Sequence, residues 1–96
     1  MLTDSIKTPI ATYRLQLHRD FTFEAAAELA DYFQEMGISH LYVSPCLQAS
    51  SGSMHGYDVI DHRRVNPELG GAEGFMKLCR ILDELGIGIV MDLVPN

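Results

Sequence analysis

Twice in this chain an amphipathic stretch runs into a glycine, an isoleucine, a short apolar run and then a proline. Glu35-Met36-Gly37-Ile38 leads to Pro45, Glu84-Leu85-Gly86-Ile87 leads to Pro95, and the two glycines stand 49 residues apart. Glycine after an amphipathic segment is a helix stop, and a short apolar run ending at proline reads as a strand. Each echo therefore predicts a helix turning into a strand. Ala26, Leu29, Ala30, Phe33 and Met36 recur at three- and four-residue steps, which predicts a helix over Phe23 to Met36. Thr22 or Asp20 can cap it, Glu24 suits its positive end, and Gly37 closes it. Phe75, Leu78, Cys79, Leu82 and Leu85 predict a second helix over Ala72 to Leu85. Ahead of both, Ile10 to Leu17 alternates, with Tyr13, Leu15 and Leu17 on one side and Thr12, Arg14 and Gln16 on the other, as a strand does. Ser39 to Ser44 predicts a second strand. The nearly continuous apolar run Ile87 to Val94 predicts a third, covered on both faces. The order β-α-β-α-β points to an α/β fold with right-handed parallel crossovers.

Composition narrows the partners. Apolar residues are 47% and charged residues 21%, enough for a packed core in 96 residues. The net charge is −6 and the seven Lys and Arg are scattered, so phosphate backbones and anionic lipid are repelled and the expected substrate is neutral or cationic. Neither nucleic acid nor membrane is expected as a partner. Cys46 and Cys79 stand outside any CxxC or Cys/His ligand spacing, and Met1 to Thr8 has no apolar leader core, so a reduced cytoplasmic chain is expected. His18 and His40 lack a partner at ligand spacing; no metal and no cofactor are assigned. A nucleotide-binding fold would want a glycine-rich turn after the first strand, and His18-Arg19-Asp20-Phe21 is not one.

In parallel α/β folds the chemistry sits at the carboxyl ends of the strands. Between the second strand and the second helix lie 27 residues, Pro45 to Gly71, without helical period, although Tyr57 to Asp61 could be briefly extended. A loop of that length is more often functional than decorative. Its centre carries Met54-His55-Gly56-Tyr57-Asp58: Tyr57 can offer a ring to the C–H face of a sugar, Asp58 can accept hydroxyl protons, His55 can donate or accept, and Gly56 lets the backbone bend. The same residues could instead pack as a core aromatic and stitch the loop to its own backbone. Asp92, near the end of the third strand, needs a partner, because an isolated buried carboxylate costs several kcal/mol. Arg14 on the first strand is one candidate and a residue beyond Asn96 another. A purely structural network is as compatible with Asp92 as a substrate contact. Asp61-His62 and Arg63-Arg64 read as solvated loop surface, and Pro67 to Gly71 as a turn entering the second helix.

These motifs carry a resemblance. Asp92-Leu93-Val94-Pro95-Asn96 resembles the first conserved region of glycoside hydrolase family 13, the α-amylase superfamily, and His55-Gly56-Tyr57-Asp58 resembles the segment shaping its subsite −1 pocket. Three stretches together, Thr12 to Gln16, Ser39 to Pro45, and His55 to Val59 running on to Asn66 to Gly71, make the chain from about Ala11 onward similar to the trehalose-forming glucosylmutase branch. The resemblance implies the first three strands and two helices of a (β/α)8 TIM barrel, truncated, with residues 1–96 the N-terminal part of an incomplete catalytic domain. It implies an isomerase that converts the reducing-end α-1,4 linkage of a maltooligosaccharide to an α,α-1,1 linkage by a retaining, two-carboxyl mechanism. His55, Tyr57 and Asp58 would bind substrate; Asp92, Asn96 and Arg14 would organise the site. The family's catalytic Asp and Glu residues fall on later strands and map onto no position here, so this piece is expected to be inactive and to need the rest of its barrel for a complete fold. Another α-glucan-acting enzyme of the superfamily, or a non-catalytic remnant, are the rival readings.

Overall fold

The computed structural model describes residues 11–95. Ile10 and Asn96, expected in the first strand and at the site, lie outside the described residues. Three strands, β1 (Thr12–Leu15), β2 (His40–Val43) and β5 (Gly88–Met91), form one parallel sheet in the order β1-β2-β5. Arg14 pairs with Tyr42 and Tyr42 with Val90, so these three residues form one row across the sheet. Helices α1 (Phe23–Glu28) and α2 (Ala30–Glu35) run between β1 and β2, and α3 (Gly71–Glu84) runs into β5. The core lies between sheet and helices, where Leu15, Leu17, Leu41, Val43 and Ile87 meet Phe23, Ala26, Phe33, Leu78 and Leu82.

Both echoes close their helices the same way. Gly37 and Gly86 have φ of 80° and 75°, a region that costs glycine nothing. The next amide donates back to a carbonyl five residues earlier, Ile38 to Phe33 at 3.0 Å and Ile87 to Leu82 at 2.9 Å. That is the Schellman closure, and the buried Ile38 and Ile87 supply its apolar contact. Of the two possible caps for α1, Thr22 is the one used, its Oγ1 accepting from the amide of Ala25 at 3.4 Å.

Several expectations need correction. The first helix is two six-residue pieces, because Leu29 tightens the turn: its amide donates to the carbonyl of Ala26, three residues back, at 3.1 Å. Leu29 and Met36, which share the apolar period with Ala26, Ala30 and Phe33, are exposed, while Phe23 at the helix start is fully buried. The stretch read as a structureless loop contains an antiparallel pair, β3 (Leu47–Ala49) with β4 (Val59–Val65), and a 3-10 turn at Pro67–Leu69. Asp61 to Arg64 therefore stand on a strand, though Arg63 remains solvated beside its own Asp61 at 3.3 Å. Among the described residues the third strand is not covered on both faces: Val90 is 47% exposed, and Met91 and Leu93 are exposed as well. No helix among the described residues is long and apolar enough to cross a membrane. Both cysteines are free, and burial pushes the Cys46 thiol up to about 12.

Ser44 locks the carboxyl end of the sheet. It is fully buried, its Oγ accepts from the amide of Leu17 at 2.8 Å, and its own amide donates to Leu15 at 3.0 Å. Removing the hydroxyl would leave the Leu17 amide buried and unpaired, at about 1–3 kcal/mol. Ser44→Ala is expected to lower the unfolding free energy by that amount, read in the whole protein as a lower denaturant midpoint with no change in slope; an unchanged midpoint would mean that the Leu17 amide finds another partner.

Candidate functional site

The carboxyl ends of β1, β2 and β5 converge on the side chain of Tyr57, which the β3–β4 connection brings across the open face of the sheet. Arg14 Nη2 donates to Tyr57 Oη at 3.0 Å, and Tyr57 Oη donates to Asp92 Oδ2 at 2.5 Å. Arginine has only protons to offer, so the phenol oxygen accepts from Arg14 and its single proton goes to the carboxylate. The guanidinium of Arg14 also lies over the ring of Tyr42, 5.2 Å from its centroid, which fixes it against the neighbouring strand. Asp92 is held by its backbone too: its amide donates to Val43 at 3.0 Å and so extends the β2–β5 pairing one residue beyond the strand.

Arg14 and Asp92 are thus coupled through a tyrosine, not in direct contact as an ion pair. Asp92 is half-buried, and the short bond to Tyr57 satisfies it without a basic neighbour in sequence. Tyr57 itself is 42% exposed, so its ring is open to a ligand while its hydroxyl is engaged.

The loop around Tyr57 is tied down by its own polar residues. Ser53 Oγ donates to Asp58 Oδ1 at 2.6 Å and accepts from the amide of Gly56 at 3.1 Å. His55 Nδ1 accepts from the amide of Tyr57 at 3.0 Å, and its ring stacks on that of Tyr57 at 5.9 Å. The same ring nitrogen lies 4.0 Å from Asp58 Oδ1. Gly56 has φ of 82°, and a Cβ there would stand 2.7 Å from the carbonyl oxygen of Pro45, so only glycine fits where the loop crosses the end of β2. From β1, Gln16 Nε2 donates to the carbonyl of Met54 at 3.0 Å, and His62 Nε2 lies 3.0 Å from the carbonyl oxygen of Val94.

Arg14, Tyr57 and Asp92 therefore form one connected line, with His55 stacked beside it. Asp58 turns back into its loop. Sequence reasoning missed Tyr42, Ser53, Gln16 and His62. Alternation on β1 puts Gln16 on the same side as Arg14, and that was the available signal for it; Ser53 and His62 are recognisable only once the hairpin is seen. A groove of about 670 Å³ lies elsewhere, between α1, the 3-10 turn and α3, and none of Arg14, His55, Tyr57, Asp58 and Asp92 lines it.

The hydrogen bond from Ser53 is the main reason the Asp58 carboxyl is held below its ordinary value, with the nearby His55 adding a smaller effect. A depressed folded value means that Asp58 contributes stability above its unfolded value of about 3.9, and that this is lost as pH falls through the lower folded value. Ser53→Ala is expected to bring the Asp58 titration midpoint, followed by carboxyl 13C NMR, back up toward the unfolded value. A midpoint that stays depressed would assign the effect to the backbone or to His55 instead.

The family model described as alpha amylase, catalytic domain, matches residues 23–96. The structure of a glycosyltrehalose synthase superposes with a TM-score of 0.90 at 55% identity, covering 92% of this chain and 12% of that one. A maltooligosyltrehalose synthase from Arthrobacter ramosus gives 0.89 at 49% identity, with the same coverages. A Mycobacterium tuberculosis protein provisionally named maltooligosyl trehalose synthase is 46% identical over 92 residues, 91% of this chain and 12% of the relative. The chain thus spans about 12% of the length of these relatives. The matching structures are TIM-barrel enzymes of the α-amylase family. The family match takes in α1 to β5, the hairpin and Asp92: the chain belongs to the α-amylase catalytic-domain family, glycoside hydrolase family 13, and is similar within it to maltooligosyl trehalose synthases.

Proposed function

We propose that this chain is the N-terminal part of a (β/α)8 catalytic domain whose whole enzyme is an isomerase, rearranging the reducing-end α-1,4 linkage of a maltooligosaccharide into an α,α-1,1 linkage. The observation that carries the reading is the Arg14–Tyr57–Asp92 line at the carboxyl ends of the parallel strands, with the Tyr57 ring exposed beside it. A ring with its hydroxyl already bonded on both sides suits the apolar C–H face of a glucose unit. Arg14 and Asp92 hold that ring in place, and His55 and Asp58 keep the loop in the shape that presents the ring. The similarity to glycosyltrehalose and maltooligosyltrehalose synthases supports the choice among α-glucan chemistries.

In this reading the two carboxyl groups that break and remake the linkage belong to later strands of the barrel, and no residue of this chain attacks the sugar. One carboxylate displaces the terminal glucose, which leaves with a proton from the other carboxyl group. The free glucose then attacks the glycosyl intermediate through its anomeric hydroxyl, returning the proton and releasing the first carboxylate. Water must be kept out between the two steps, and a ring fixed over the sugar helps to do so. The exposed Val90, Met91 and Leu93 at β5 support a sheet that continues into further strands.

Maltopentaose incubated with the whole enzyme is expected to yield a non-reducing product of unchanged length, while purified residues 1–96 give none. Shorter reducing sugars from the whole enzyme would make it a hydrolase, and trehalose-terminated product from residues 1–96 would contradict the assignment of the catalytic carboxyls.

A further inference from the structure

The loop that carries Tyr57 is tied to the rest of the fold at Tyr57 itself, at Met54 through Gln16, and at its Ser51–Gly52 tip, and the last of these has no part in the line to Asp92. At its far end Gly52 turns its amide toward Glu68, whose two carboxylate oxygens lie 3.0 and 3.1 Å from that nitrogen. Ser51 Oγ donates to the same carboxylate at 3.3 Å. Bonds to an ionised acceptor are stronger than neutral ones, and here two donors share it.

Glu68 stands on a rigid base. It lies in the 3-10 turn, where its amide donates to Asn66 Oδ1 at 3.0 Å. Asn66 is buried, its amide donates to Cys46 at 2.8 Å, and its carbonyl accepts from Leu69 and Gly71 at 3.1 and 3.0 Å. Leu69, next to Glu68, is 2% exposed and belongs to the core. The carboxylate is therefore referenced to the end of β2 and the start of α3. The segment between the clamp and Tyr57 has little slack, because Ser53 already joins Gly56 and Asp58.

We propose that Glu68 is a positioning residue for the sugar site: it clamps the Ser51–Gly52 tip and so fixes where the Tyr57 ring stands, without touching substrate. The inference rests on the proposed function for its kinetic consequence, but the clamp has a readout of its own. Glutamine keeps one carbonyl oxygen at the same reach, alanine keeps none, and aspartate is one methylene too short to span the gap.

The test uses Glu68→Ala, Glu68→Gln and Glu68→Asp in the whole enzyme. In E68A and E68D, amide hydrogen exchange over residues 50–58 is expected to speed up at least tenfold while β1, β2 and β5 stay protected. In the same two variants kcat/KM on maltopentaose should fall about tenfold or more, mostly through KM, and E68Q should recover most of both effects. Unchanged exchange over 50–58 in E68A would overturn the clamp, as would E68Q behaving like E68A. Exchange that speeds up while kcat and KM hold would overturn the positioning role. If E68A fails to fold, Ser51→Ala must show a smaller increase in the same segment, and its absence would overturn the clamp. Failure of the unsubstituted enzyme to turn over maltopentaose would count against the proposed reaction, and exchange would still decide the clamp.

Discussion

The parallel register of β1, β2 and β5 is the constraint on which everything else depends. Because Arg14, Tyr42 and Val90 share one row, the carboxyl ends of all three strands finish at one level. Asp92, two residues past Val90, falls on the same side of the sheet as Arg14, and Tyr57 can bridge them. A slip of one residue in either pairing would turn Arg14 or Asp92 to the helix side. Burial opposes that slip, since the alternate positions Leu15, Leu41 and Val43 are packed against Phe33, Leu78 and Leu82. The apolar face thus sets the position of the polar one.

The second requirement is that the long connection after β2 returns Tyr57 to the sheet. It does so by a chain of hydrogen bonds: the Ser50 amide donates to the Asp58 carbonyl, Ser53 Oγ donates to the Asp58 carboxylate and accepts from the Gly56 amide, and the Gly52 amide donates to Glu68. Gly56 is the point of no tolerance, because the backbone passes the carbonyl of Pro45 too closely for any side chain. Position in this loop is bought with hydrogen bonds instead of burial, which leaves the ring of Tyr57 free for a ligand.

The parts of the fold that were readable in the sequence are those with a repeated local signal. The two glycine–isoleucine echoes marked both helix ends correctly, and alternation in Thr12 to Leu17 assigned the sides of β1. The hairpin was not readable because β3 is three residues long and its pairing with β4 shifts register twice, which destroys period-two patterning. The apolar run at β5 is of a different kind: a strand that is apolar on both faces signals burial in a larger sheet, and among the described residues Val90 and Met91 are uncovered. In the site, the chemistry of Asp92 demanded a partner and Arg14 was a fair candidate. The interposed Tyr57 lies 43 residues from Arg14 and 35 from Asp92, a closure that no local pattern encodes.

In the proposed function Arg14 acts on the site through the hydroxyl of Tyr57. A double-mutant cycle with Arg14→Met and Tyr57→Phe, read as kcat/KM on maltopentaose in the whole enzyme, tests it most directly. Each single change is expected to cost activity, and adding Arg14→Met to Tyr57→Phe to cost almost nothing more. Fully additive losses would mean that the two residues act independently, and would contradict it.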